Sequence, residues 1–149
     1  MRVHELTRAE CEEVLARAEV GRLACSRDDQ PYIVPVQVYY EAGSLFGFAT
    51  LGQRVEWMRT NPLVCLEIEE IVSVRQWTTV LVFGTYEELS KTSPAPEHAG
   101  ARRQAESLFA QRPAFWAPAT AKRPSGEPFS PVLYRVNITR MTGRRAAGV

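Results

Sequence analysis

The residue types best suited to hold an anion lie together at residues 48–54, where a strand-like stretch is followed by a helix-like one. Thr50 supplies a hydroxyl donor, Gly52 allows a tight turn, and Arg54 supplies a guanidinium for a charge-assisted hydrogen bond. The first N–H groups of a helix have no partner within the helix, and the helix dipole favours negative charge there. This stretch therefore predicts a phosphate site, and the alternative is an ordinary turn with a solvated arginine.

A second candidate binding stretch covers residues 31–38, where Val34, Val36 and Val38 alternate with residues of other types. Such alternation is typical of a strand. Pro35 has no N–H to donate to a neighbouring strand, so this strand should lie at a sheet edge or carry a bulge. The free backbone groups of an edge could hydrogen-bond to a flat heteroaromatic ring. The alternative is an edge strand that binds nothing.

Two tryptophans mark further candidate positions. Trp77 precedes Thr78 and Thr79 in a long apolar stretch, where these residues would serve either the core or a ligand site. Trp116 lies in a proline-flanked segment, as either an anchor for that segment or a cover over a ligand. His98 lies in a stretch typical of a solvent-exposed helix start, so we assign it no catalytic role.

Composition excludes several other classes of site. Cys11, Cys25 and Cys65 lack CxxC spacing, and His4 and His98 lie far apart, so no zinc site is expected. Eighteen Lys and Arg against 17 Asp and Glu give a net charge of +1, without the basic excess of a nucleic-acid binder. Signal-peptide and membrane-spanning patterns are lacking, so we expect a cytoplasmic protein without a membrane partner. No nucleophile–base pattern is recognisable, and catalytic residues stay unassigned.

The elements that would position these residues are mostly strands. Thr7 and Glu10 form a capping-box pattern that predicts a helix over residues 7–18. A short helix is expected from Arg54 to the residue before Pro62, and another over residues 99–111. Alternation and β-forming residues predict about six or seven strands, of which six can be delimited. These strands cover residues 21–26, 32–40, 45–49, 63–69, 76–89 and 132–141.

The length of 149 residues indicates a single domain, 1–149, in which residues 90–131 form an insertion of one helix and a proline-rich loop. The continuous apolar run at 77–86 predicts burial on both faces of its strand, and Gly84 predicts a bulge or bend. The tail around residues 143–145 is expected to fray. Together these elements predict a mainly β fold, a small antiparallel barrel with helical additions.

In this order and spacing, the motifs resemble those of the FMN-binding split-barrel proteins related to pyridoxamine 5′-phosphate oxidase. More narrowly, they resemble the branch that includes nitroimidazole-resistance proteins. The resemblance is carried by the stretches at 21–24, 31–36, 52–54, 61–65 and 77–80. It implies a six-stranded antiparallel split β-barrel, and a homodimer that binds FMN at the subunit interface.

The resemblance also implies roles for single residues around the cofactor. Arg54 would contact the FMN phosphate, and other residues would line the phosphate and ribityl pocket, follow the isoalloxazine ring, or approach from the opposite barrel wall. The pocket residues are Ala49, Thr50 and Gln53; the ring residues are Val34, Val36, Gln37 and Val38; the opposite-wall residues are Thr78 and Thr79. Trp116 is added as the candidate cover.

Two positions depart from the family pattern. Phe48 stands where nitroimidazole-resistance relatives often carry a histidine. Arg135 and Asn137 stand in the last strand, which lacks the Arg-x-His signature that pyridoxamine-phosphate oxidases use on their substrate. We therefore expect FMN-dependent redox chemistry on a small planar substrate rather than vitamin B6 oxidation. The most specific activity that we expect is nitroreductase-like.

Three alternatives stay open at this point. The same barrel could serve a reductase that uses the deazaflavin F420, or a non-catalytic protein that stores or senses flavin or haem. It could also be a dimeric barrel without a cofactor, in which Thr50 and Arg54 are surface groups.

Overall fold

The computed structural model describes residues 1–50, 52–111 and 131–148, which contain seven strands and three helices. In chain order these elements are β1 Arg2–Glu5, α1 Arg8–Arg17, β2 Val20–Arg27, β3 Gln30–Glu41, β4 Ser44–Thr50, α2 Gln53–Thr60, β5 Leu63–Ser73, β6 Gln76–Glu88, α3 Pro96–Ala110 and β7 Pro131–Ala147.

The seven described strands form one antiparallel sheet in the order β1-β7-β4-β3-β2-β5-β6, and β6 also pairs with β7. This last pairing closes six of the strands into a barrel. Closure depends on β7, which is 17 residues long and pairs with β4 through its first part and with β6 through most of its length. The predicted six-stranded barrel is confirmed, with β1 added at the far end of β7.

The barrel is split because β3 and β4 separate part-way along. Their pairing runs from Glu41 with Ser44 to Val38 with Gly47 and then stops. Before Val38, β3 pairs only with β2, so one edge of residues 30–37 faces no strand among the described residues. Pro35 lies in that stretch, as predicted, since its missing N–H costs nothing at an open edge.

Apolar side chains from all six barrel strands fill the interior, and α1 closes one end with buried Cys11, Val14 and Leu15. The capping box predicted for α1 is present: the Glu10 N–H donates to Thr7 Oγ1, and the Thr7 N–H donates to the Glu10 carboxylate. A second apolar cluster lies outside the barrel, where α3 covers β4 and the start of β7.

Two predictions about strands were wrong. The tail at 143–145 is not frayed, because Arg144 and Arg145 pair with β1 on one side and β6 on the other. The apolar run of β6 is buried on one face only: Val80 and Val82 are fully buried, whereas Leu81 is 41% exposed. No element among the described residues covers its outward face. The apolar run in the sequence does not show whether one or both faces of the strand are covered.

Gly84 was predicted to mark a bulge, and this prediction is confirmed. The register between β6 and β7 shifts between Phe83 and Gly84. A Cβ at position 84 would overlap the Asn137 carbonyl oxygen and lie 2.7 Å from Val136 Cγ1, so only glycine allows this close approach.

The helix predicted at 99–111 begins earlier, at Pro96, because proline is well tolerated in the first turn of a helix. Over the described ranges, no helix combines the length and apolar character needed to span a bilayer.

Candidate functional site

The split between β3 and β4 forms a cleft with two kinds of hydrogen-bonding backbone. One wall is the edge of β3 at residues 30–37, where Val34 and Val36 turn their side chains toward the core. Gln37 is 2% exposed, and the Val38 N–H donates to the Glu19 carbonyl at 3.0 Å. Among the described residues no strand covers the other edge of residues 30–37, so a flat ligand could lie along it.

The other wall of the cleft ends at the N-terminus of α2. The helix begins after Gly52, which has no side chain to cap it, and the first hydrogen bond of the helix runs from the Glu56 N–H to the Gly52 carbonyl. The N–H groups of residues 53–55 are consequently without partners in the helix. This end of α2 therefore offers donors and the positive end of a dipole to an anion.

Two arginines of α2 have different surroundings. Arg59 donates to both carboxylate oxygens of Glu88 at 3.0 and 2.7 Å. Arg54 is half-buried in the first turn, one turn before the fully buried Met58. Within the described ranges, no hydrogen bond or ion pair involves the Arg54 side chain. Its charge is thus available to an anion at the helix N-terminus.

The barrel interior near Arg54 holds two tyrosines that were not predicted as site residues. Tyr134 and Tyr86 are both buried, and their ring centroids lie 5.4 Å apart. Burial raises the pKa of Tyr134 to about 12 and raises the pKa of Tyr86 as well, while the positive charge of Arg54 opposes both shifts. Both phenols are therefore protonated at neutral pH and can donate a hydrogen bond.

The structure brings several predicted residues together around α2. Ala49 is buried near the end of β4, and Thr50 follows it, paired with Pro131 of β7. Gln53 is exposed at the start of α2, next to Arg54. Leu51 and Trp116 lie outside the described residues.

Thr78 and Thr79 lie elsewhere in the chain. Eight residues of β6 separate Thr78 from Tyr86, which corresponds to about 26 Å along a strand. Thr78 is buried and accepts a hydrogen bond from Arg145 Nε at 3.2 Å, whereas Thr79 lies on the outward face. They thus lie toward the opposite end of β6 from Tyr86.

The residues that depart from the family pattern make contacts within the chain. Phe48 packs edge-to-face on Phe109 of α3, with ring centroids 5.0 Å apart. Arg135 donates to both oxygens of Glu87 at 2.9 and 3.1 Å, and Asn137 donates to the same carboxylate at 2.6 Å. Arg135 and Asn137 are thus committed to Glu87 and do not form a free anion site.

His98 was predicted to be solvated, but it joins the same network. Its Nε2 lies 2.5 Å from Glu87 Oε1, and its Nδ1 lies 2.8 Å from Ser93 Oγ. The network fixes the start of α3 against β6 and β7. No sequence signal could have identified it, because its members are up to 50 residues apart and meet only through β6–β7 pairing.

Comparison with known proteins agrees with this architecture. Residues 7–145 match the family model described as pyridoxamine 5′-phosphate oxidase. An uncharacterized protein of Rhizobium meliloti (strain 1021) is 40% identical over 149 residues, covering 98% of this chain and 97% of that protein.

Solved structures show the same fold. A FAD-binding protein from Mesorhizobium loti is 35% identical, with a TM-score of 0.81 over 99% of this chain and 100% of that one. A structure described as a proposed 5-nitroimidazole antibiotic resistance protein from Bacteroides thetaiotaomicron is 14% identical, with a TM-score of 0.65 over 97% and 89% of the two chains. With the family model matching nearly the whole chain, the protein belongs to the pyridoxamine 5′-phosphate oxidase family.

Proposed function

We propose that the protein binds FMN in the split between β3 and β4, at the interface of a homodimer, and catalyses a redox reaction on a small planar substrate. The observation that carries the proposal is the uncapped N-terminus of α2 at one end of an open strand edge, with Arg54 in its first turn and no partner for that guanidinium among the described residues. The relative that is described as FAD-binding, at 35% identity, supports a flavin.

The chain's own residues would bind and orient the cofactor. A bound flavin supplies hydride transfer at its N5 atom, and the protein supplies binding, orientation and exclusion of water. Arg54 and the N–H groups at residues 53–55 would hold the phosphate, with Ala49, Thr50 and Gln53 beside it. Residues 34–38 would lie along the isoalloxazine ring.

An apolar outward face supports the homodimer. Ile33, Ala24, Cys65 and Phe83 are register partners across four strands and therefore project to the same side of the sheet. Ile33 is 65% exposed, and a groove of about 430 Å³ crosses this face. Contiguous exposed apolar surface on a folded chain commonly marks an interface. Thr79 projects to the same side, so a second copy docked here would bring it toward the partner's cofactor.

The cofactor can be identified directly. We expect the purified protein to show flavin absorption and to release about one FMN per chain, separated by chromatography from FAD and the deazaflavin F420. FAD is the second candidate, because the 35% identical relative is described as binding it. A colourless protein that takes up none of the three would contradict the proposal.

The phosphate assignment is tested by Arg54→Ala. Losing a charged hydrogen-bond partner should weaken FMN binding by about 1–3 kcal/mol, or roughly 5- to 150-fold in Kd. Arg59→Ala is the matched control, since the Arg59 guanidinium is already paired with Glu88. Equal FMN affinity of the Arg54 variant and the control, measured by flavin fluorescence titration, would rule out the assignment.

Turnover separates an enzyme from a storage or sensing protein. We expect the flavin-loaded protein to oxidise a nicotinamide donor and to reduce a planar acceptor, with nitroaromatic compounds as the first acceptors to try. A protein that holds flavin or haem but shows no turnover with any donor and acceptor would favour storage or sensing.

A further inference from the structure

Two tyrosine hydroxyls inside the barrel are buried without a hydrogen-bond partner. Tyr134 is 1% exposed and Tyr86 is 6% exposed, and neither Oη atom has a donor or acceptor within reach in the described part of the chain. A buried hydroxyl without a partner destabilises a fold, and buried tyrosines normally find one. Two such groups in contact indicate a polar component that the described part of the chain does not supply.

Both hydroxyls belong to the end of the barrel that α2 closes. The Tyr86 N–H donates to the carbonyl of Pro62, directly after α2, at 2.8 Å. The Tyr134 ring crosses Gly47 of β4, where an added Cβ would overlap the Oη atom and lie 2.9 Å from Cε2. Gly47 thus leaves the space that this hydroxyl occupies, beside the point where β3 and β4 separate.

Arg54 lies next to residues of α2 that share the buried core cluster with the two tyrosines, Val55 and Met58. It precedes the buried Val55 and lies one helical turn before the buried Met58, so its stem faces the barrel mouth. Burial raises the pKa of both phenols, and the positive charge of Arg54 opposes that rise. An anion held by Arg54 would therefore lie near two protonated phenols.

We propose that Tyr86 and Tyr134 complete the anion site from inside the barrel, each donating its O–H to a phosphate group held by Arg54 and the N-terminus of α2. This inference rests on the proposed function and specifies how the same site recognises phosphate. A phosphate monoester has acceptor oxygens beyond those that one guanidinium and a helix N-terminus use, and a phenol O–H is a suitable donor to them.

The test compares FMN with riboflavin, which carries the same ring system without the phosphate. Tyr134→Phe and Tyr86→Phe should each raise the Kd for FMN by about 3- to 10-fold and leave the Kd for riboflavin within twofold. Each variant should melt at an equal or higher temperature without ligand, since an unpartnered buried hydroxyl is removed. Tyr40→Phe, a half-buried tyrosine of β3 outside the site, is the matched control.

The outcomes separate this inference from the proposed function. If Arg54→Ala weakens FMN binding but both tyrosine variants match Tyr40→Phe, the hydroxyls face only water and the inference fails alone. Equal losses for FMN and riboflavin would also overturn it. If the wild-type protein binds no flavin, the melting temperature is measured with and without inorganic phosphate. A rise with phosphate that is lost in the tyrosine variants supports the inference. No rise in the wild-type protein overturns it.

Discussion

At the residue scale, glycines at two barrel positions allow contacts that any side chain would prevent. Gly47 leaves room for the Tyr134 ring, and Gly84 brings β6 against the β7 backbone. A Cβ at position 47 would meet the Tyr134 ring, which can shift slightly. A Cβ at position 84 would meet the Asn137 carbonyl, which is fixed by the sheet. The bulge at Gly84 is therefore the less tolerant position.

Gly84→Ala should lower the free energy of unfolding by about 1–3 kcal/mol, the range for overpacking a filled interior. Urea denaturation measures this effect as a shift in the midpoint. Gly100→Ala is the matched control: its Cβ would meet only Arg103 Nη2, at 4.0 Å, within α3. That variant should gain up to about 1 kcal/mol from helix propensity. A Gly84 variant as stable as wild type would show that the bulge accommodates a side chain.

At the scale of elements, α3 is attached to the barrel by an ionic network and an aromatic contact. Glu87 of β6 accepts from Arg135, Asn137 and His98, and these bonds, led by that from Arg135, lower the pKa of Glu87 from 4.5 to about 2. Phe109, near the end of α3, packs on Phe48 of β4. The helix is thus held at its start by charge and at its end by apolar contact.

The network predicts a pH-dependent contribution to stability. A carboxylate whose pKa is lowered on folding contributes stability that is complete above its unfolded pKa of about 4.5 and is lost as pH falls toward 2. At about 1.4 kcal/mol per pKa unit, the contribution is on the order of 3 kcal/mol. Glu87→Gln should therefore be less stable than wild type at pH 7, and the difference should shrink between pH 4.5 and 2.

Urea denaturation at several pH values measures this difference. Glu97→Gln, an exposed change on α3, serves as the control and should alter stability little at any pH. A constant difference between wild type and Glu87→Gln from pH 7 to pH 2.5 would contradict the assigned role of the network.

At the scale of the whole molecule, the outward face of β2, β3, β5 and β6 is the surface through which we propose that two chains associate. One chain buries a single face of β6 and leaves Thr79 distant from Arg54. A homodimer through this face would cover the apolar row from Ile33 to Phe83.

Ile33→Asp should convert the dimer to monomers and lower flavin affinity, because a buried carboxylate without a partner opposes association. Sedimentation velocity measures the mass, and flavin titration measures the affinity. Val74→Asp is the control, since Val74 is 87% exposed at the β5–β6 turn, away from the row. A wild-type protein that sediments as a monomer, or an Ile33 variant that stays dimeric, would contradict the assigned interface.

Local features of the chain were predictable because neighbouring residues determine them. The Thr7–Glu10 capping box starts α1, Pro35 lies at an open edge, and Gly84 marks the bulge. Each depends on backbone chemistry within a few residues. The stretch from Phe48 to Arg54 likewise shows from its residue types alone that an anion would suit the start of α2.

Only the tertiary structure decided which distant residues meet. The pairing of residues 144–147 with β1, the Glu87–Asn137 contact, and the approach of Tyr86 to Tyr134 all join segments that are dozens of residues apart. Such contacts depend on strand register and barrel closure, which no short window of sequence encodes. By itself the sequence therefore determined a barrel and predicted an anion site at the start of α2, and only the fold brought together two buried hydroxyls that have no partner among the described residues.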